Sequence, residues 1–362
     1  MPPSSKSRRG KEKETGERPW EHRDLKQHPK QRIFLSIDAI GSTKFKSFLA
    51  EKGCSSGVWA SGFSGFLSDV LVRFREKFVE TARKHCRVTC KHPCVSEASS
   101  KNKKASKPTV NVWKYIGDEV VLMAELTCGS YQPSQFVLAL AETVKYYNRD
   151  SIRKKIWGDL ANPPFFKGTA WVAGFPVTNV ELDLPGPTQS QEVKDFLGPS
   201  MDLGFRLSKF ASKDRLIVSA SLAYFIVHGR SLGKKKMPLC FGGLVEAKGV
   251  RGDKHPLIWY PLEIAEDTDL CRANYEDMQD FLNEYLDPDS KGLLPFILND
   301  RLPEAEYDDM YKAEAEKQEG IPYSPFYLDN TVETSPDSDV DDIGDIVEKV
   351  PPRTTPKPLR KK

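Results

Sequence analysis

The stretch "RIFLSID", residues 32–38, constrains the fold more than any other part of the chain. It is a short, unbroken apolar run rich in β-branched and aromatic residues, the pattern of a strand buried at the centre of a sheet. Asp38 closes the run, and "AIGSTKFKSFLAEKG" then reads as a turn leading into a short helix. Behind it, Phe63, Phe66, Leu67, Val70, Leu71, Phe74 and Phe78 recur at helical spacing and form one wide apolar stripe.

"TVNVWKYIGDEVVLMAEL" (109–126) predicts a hairpin with Gly117 at its turn. A helix is expected around 134–148, then a strand pair around "FKGTAWVAGFPVTNVELD". A helix starts at "MDLGFRLSKFA", "RLIVSASLAYFIV" gives a strand and a helix, and "CFGGLVEA" and "PLIWYPLEI" close the domain near residue 264. The order is β-α-α-β-β-α-β with added strands: an α+β, ferredoxin-like domain with helices packed on one sheet.

With 362 residues, 39% apolar content and 19 Phe, the chain is long enough for one sizeable domain with appendages. Residues 1–31 read as a disordered basic arm, 32–264 as the folded domain, 265–330 as a helical extension and 331–362 as a disordered tail. The net charge is only +3, but residues 83–107 carry eight Lys or Arg against one acid, so 85–108 reads as a basic insertion loop. No run approaches the roughly 18–20 apolar residues that span a bilayer. The N-terminus lacks the apolar core of a signal peptide, so a cytoplasmic protein without membrane contact is expected. Seven scattered Cys fit reduced thiols. His85, Cys86, Cys90, His92 and Cys94 lack the paired spacing of a zinc site, and the basic-loop reading is preferred.

Asp38, at the end of the first strand, and Asp118, at the hairpin turn, are the residues that point to chemistry. If strand and hairpin are neighbours, both carboxylates project from one sheet edge. Crowded carboxylates repel unless a cation lies between them, and hard oxygen donors suit Mg²⁺ or Mn²⁺. The turn "AIGST" offers backbone N–H groups near a helix start, a natural phosphate cradle. Glu119 reads as an outward-facing strand residue, and Trp113 and Tyr115 as sheet packing.

Three blocks carry a family resemblance. "FLSIDAIGSTKF" resembles the first metal-binding strand of the class III nucleotidyl cyclases. "KYIGDEVVLMAE" is similar to their second metal motif, with a Lys three residues before a Gly-Asp pair. "DFLGPSMDLGFRLSKFASKDRLIVSASL" resembles their third block. Together they cover residues 32–262. The resemblance implies that Asp38, Asp118 and the Ala39 carbonyl hold two Mn²⁺ or Mg²⁺ ions. It implies that Arg206 stabilises the transition state and that Lys114 and Asp195 read the base. It also implies a homodimer with sites at the interface, the metals of one chain facing Lys114, Asp195 and Arg206 of the other.

Three positions depart from the pattern: Asp202 stands where Asn is usual, Ser42 where Phe is usual, and Val250 where a Lys is usual. Arg251 next door is the candidate substitute. Adenine, cytosine and uracil all fit a Lys donor beside an Asp acceptor; guanine fits least. As a catalytic domain with tails and no sensory domain, the chain looks like the stand-alone pyrimidine cyclases of bacterial anti-phage (Pycsar) signalling. That resemblance implies cyclisation of UTP to cyclic UMP for a separate effector protein. A cytidylate or adenylate cyclase of ordinary signalling is the alternative, and an inactive cyclase fold used for binding or dimerisation is a further one.

Overall fold

A computed structural model describes residues 30–85, 109–126, 132–160, 162–175, 179–185, 192–229, 237–246, 254–263 and 275–286. The expected arm, the insertion after His85 with its Cys and His residues, and the C-terminal tail lie outside the described residues. All described residues belong to one unit, Met1–Glu316; the second, Lys317–Lys362, lies outside them. The α+β architecture is as expected, and up to the fourth strand the order differs from β-α-α-β-β-α-β only by a second helix before that strand.

The strands are β1 (Lys30–Ala39), β2 (Val110–Ile116), β3 (Glu119–Glu125), β4 (Phe166–Phe175), β5 (Val180–Pro185), β6 (Glu192–Leu197), β7 (Arg215–Val218), β8 (Cys240–Glu246) and β9 (Lys254–Pro261). The helices are α1 (Ser42–Glu51), α2 (Ser56–His85), α3 (Gln132–Asn148), α4 (Asp150–Trp157), α5 (Pro199–Leu207), α6 (Ala220–His228) and α7 (Tyr275–Tyr285). Seven strands form one sheet in the order β2-β3-β1-β4-β7-β9-β8, with only β4 and β7 parallel.

β1 is central, antiparallel to β3 on one side and β4 on the other. Strand side chains alternate between faces. Ile33, Leu35, Ile37 and Ala39 therefore enter one core with Val120, Leu122, Ala170 and Val172, under α2 and α3. The stripe on α2 fills it: Phe66 lies 4.4 Å from Phe166 and 5.1 Å from Tyr147 between ring centroids, and Phe78 lies 4.8 Å from Phe136. α4, which the sequence reading missed, seats Trp157 4.7 Å from Phe63. On α7, Met278 and Leu282 reach the same core and Phe281 packs 4.8 Å from Phe241.

The opposite face of β1 is aromatic. Phe34 packs with Trp113, Trp171 and Phe196 at 5.2, 5.6 and 5.2 Å, and Phe205 of α5 covers Trp171 at 5.3 Å. Burying a side chain of this size contributes about 1.5–3 kcal/mol. α5 lies so close that a Cβ on Gly204 would stand 2.3 Å from the Trp171 ring.

Two expectations are corrected. "FKGTAWVAGFPVTNVELD" is not a strand pair within the main sheet: β5 leaves it and pairs with β6, a strand not foreseen. Among the described cysteines Cys54 is free, but Cys240 is disulfide-bonded, so the reduced-thiol expectation fails there.

The β5–β6 ribbon is tied back to β1 by a buried pair, Arg32 Nη2 to Glu181 Oε2 at 2.8 Å, with Lys194 on the other Glu181 oxygen. Burial alone would raise the Glu181 carboxyl, but hydrogen bonds from Lys194 and Arg32 outweigh it and hold the group below its ordinary 4.5. A lowered folded-state value stabilises the fold above the unfolded value and loses that contribution as pH falls through the folded one. Glu181→Gln is therefore expected to cost about 2 kcal/mol near neutral pH and progressively less below about pH 4.5. Thermal melts followed by circular dichroism across that range check this; a pH-independent loss would contradict it.

Candidate active site

The aromatic face turns polar at one end, where β1 runs out. Asp38 lies directly opposite Lys167 in the β1–β4 register, and Ser36 lies opposite Thr169. Lys167 Nζ stands 3.2 Å from Asp38 Oδ2 and also donates to the Ser208 carbonyl, 3.2 Å away, where α5 ends. Asp118 comes from the next connection. The Ile116–Glu119 pair leaves a two-residue loop, Gly117-Asp118, and Gly117 takes φ 63° as such a turn requires at its first position. Lys46 on α1 reaches Asp118 Oδ1 at 3.2 Å while its ammonium sits over the rings of Phe63 and Trp59, at 4.7 and 5.5 Å.

Glu119 overturns the reading of an outward-facing residue. Its parity on β3 puts it on the Asp38 side, where the Ser36 hydroxyl donates to its Oε1. Burial pushes the Glu119 carboxyl up, the Ser36 hydrogen bond opposes this, and the Asp38 and Asp118 charges add to it. Asp38 is also raised, first by burial, with Lys167 opposing and Asp118 adding. The two aspartates are thus close enough to feel each other.

Lys114 and Asp195 form the second group. A register shift between Val112 and Lys114 lets Trp113 turn into the aromatic face, with its Nε1 donating to the Lys194 carbonyl at 3.2 Å. Lys114 Nζ lies 3.0 Å from both Asp195 oxygens and 5.0 Å from the Trp113 ring. Trp113 is a packing residue, as expected; Tyr115 is exposed.

Asp202 and Arg206 sit one turn apart on α5, and among the described residues neither side chain forms an ion pair. The Ala39 backbone lies at the β1 terminus beside Asp38. Arg251 lies outside the described residues.

No group of three His, Cys, Asp or Glu among the described residues is arranged to hold a metal ion. The donor chemistry nevertheless fits a hard divalent cation. Two carboxylates lie at one end of the sheet, each with a lysine ammonium 3.2 Å away. Sequence reasoning missed Lys46 and Lys167, because no local pattern shows which lysine faces an aspartate across a strand pair or a helix turn.

No helix among the described residues is long and apolar enough to cross a membrane. No protein-family model matches the chain, and no curated protein matches it by sequence. Solved structures that it is similar to include the guanylyl cyclase Cya2, at 12% identity and TM-score 0.40, covering 67% of this chain and 98% of that one. The adenylyl cyclase CyaB from P. aeruginosa is 11% identical, TM-score 0.41, covering 64% and 94%. The guanylate cyclase domain of RhGC from Catenaria anguillulae in complex with GTP is 12% identical, TM-score 0.37, covering 64% and 97%.

The position of α5 depends on the Gly204–Trp171 approach. Gly204→Ala is expected to push the helix off the sheet and destabilise the protein by about 1–3 kcal/mol, read as a lowered midpoint in urea. An unchanged midpoint would show that the helix re-seats freely.

Proposed function

We propose that the chain is a nucleotidyl cyclase: it joins the ribose 3′-oxygen of a nucleoside triphosphate to its own α-phosphorus and releases pyrophosphate. The observation that carries this is that Asp38 and Asp118, eighty residues apart in sequence, lie at one end of the sheet, each within 3.2 Å of a lysine.

In this reading the Asp38 and Asp118 carboxylates and the Ala39 carbonyl would hold Mn²⁺ or Mg²⁺. When bound, such ions lower the pKa of the 3′-hydroxyl and offset the phosphate charge. The chain's own groups do the rest. The β1–α1 turn offers the first-turn N–H groups of α1, which carry no side-chain cap, to phosphate oxygens. Arg206, half-buried and without an ion-pair partner among the described residues, is available for charge on the transferring group. The Lys114 ammonium and the Asp195 carboxylate, already paired, offer one donor and one acceptor side by side to the edge of a base. Uracil meets that pair through a carbonyl and its N3–H, and we assign UTP as substrate and cyclic UMP as product. Cyclic UMP as an antiviral messenger for a separate effector follows from the sequence resemblance.

A homodimer with shared sites belongs to the same reading. It is supported by one face of the β5–β6 ribbon, where Val180, Leu184, Val193 and Leu197 are 40–55% exposed on the strands that carry Asp195.

Purified protein incubated separately with ATP, GTP, CTP and UTP in Mn²⁺ is expected to release pyrophosphate from UTP fastest. Product from ATP alone would discard the pyrimidine assignment, and none from any of them would leave a binding module. Asp118→Ala is expected to cut turnover more than about a hundredfold with an unchanged circular dichroism spectrum; undiminished turnover would refute the role of Asp118.

A further inference from the structure

Both carboxylates of the candidate metal site already carry an ammonium group. Lys46 stands 3.2 Å from Asp118 and Lys167 stands 3.2 Å from Asp38. These are not surface pairs held loosely in water: the side chains are 29% and 17% exposed in the first and 18% and 26% in the second. Screening is correspondingly weak there, and a charge has reach.

We propose that Lys46 and Lys167 are resident counter-ions that compete with divalent cations for Asp118 and Asp38 and so set the metal affinity of the site. This rests on the metal role proposed above for the two aspartates. A divalent ion needs the oxygens that the lysines now hold, and it would meet two fixed positive charges next to them.

The lysines differ from ordinary ion-pair partners in having a second hold already in place. The Lys46 ammonium lies over the Phe63 and Trp59 rings, a face that attracts a cation after Asp118 is given up. Lys167 also donates to the Ser208 carbonyl, near the electronegative C-terminal end of α5. Each flexible four-carbon stem permits the small swing between partners. The Lys167 link also joins Asp38 to the helix that carries Arg206. Release of one aspartate therefore leaves α5 anchored rather than free.

The test is Mn²⁺ binding to the full-length protein without nucleotide, measured by titration calorimetry, alongside Mn²⁺-dependent thermal shifts. Lys46→Met and Lys167→Met are each expected to bind Mn²⁺ on the order of tenfold more tightly than the wild type. Each is expected to melt lower without metal and to gain a larger shift when Mn²⁺ is added. Lys46→Arg keeps the charge and is expected to bind like the wild type. Wild-type binding with no gain in either Met variant overturns the competition alone, as does a Lys46→Arg gain equal to that of Lys46→Met. Absence of Mn²⁺ binding in all of these proteins overturns the metal reading as well. If a Met variant does not fold, the Gln substitution at the same position is titrated instead, under the same criteria.

Discussion

The structure depends on β1 being buried on both faces. From Gln31 to Ile37 every residue of the strand is buried, so the two parities of one short segment must satisfy two different environments. From Ile33 to Ala39 the odd positions are aliphatic or small and meet the helices. The even positions run Arg32, Phe34, Ser36, Asp38, so the second face passes from an ion pair through an aromatic cluster to a hydroxyl and a carboxylate. A register slip of one residue would drive Asp38 and Arg32 into the helix-side core. The same alternation that fixes the fold therefore fixes where the chemistry can sit.

The aromatic cluster is what gives the second face a shape. Phe34, Trp113, Trp171, Phe196 and Phe205 come from β1, β2, β4, β6 and α5, five separate segments. Their packing holds the β5–β6 ribbon and α5 against the sheet, and with them Asp195 and Arg206. Arg32 does the same work electrostatically by pinning Glu181, which lies directly opposite Phe196 in the ribbon. Gly204 sets the distance of closest approach, since only hydrogen fits between α5 and the Trp171 ring.

Much of this was legible in the sequence, and the boundary of legibility is physical. The unbroken run 32–38, the α2 stripe and the Gly117 hairpin are local patterns, and each folds as its period demands. Asp38 and Asp118 could be paired because the strand and the hairpin had to be neighbours. The grouping of Lys114 with Asp195 came only from the family resemblance, and their contact was not foreseen, since no local pattern joins β2 to β6. The β5–β6 ribbon was misassigned because its strands alternate exposed aliphatic residues with charge, and "VELDLP" reads as the partner of whatever strand precedes it. Glu119 was misplaced because the residue after a turn was assumed to face water; its neighbour across the sheet, Ser36, decides otherwise. Lys46 and Lys167 were invisible because a cross-strand or helix-to-turn ion pair leaves no trace in spacing.

Those unseen lysines change the electrostatic character of the site. Three carboxyl groups, from Asp38, Asp118 and Glu119, share one end of the sheet with two ammonium groups. With them, opposite charge works against burial at Asp38, and the Ser36 hydroxyl does the same at Glu119. Each ammonium group stands where a divalent cation would approach its carboxylate. Competition for the carboxylate oxygens is therefore built into the same contacts that hold these side chains in place.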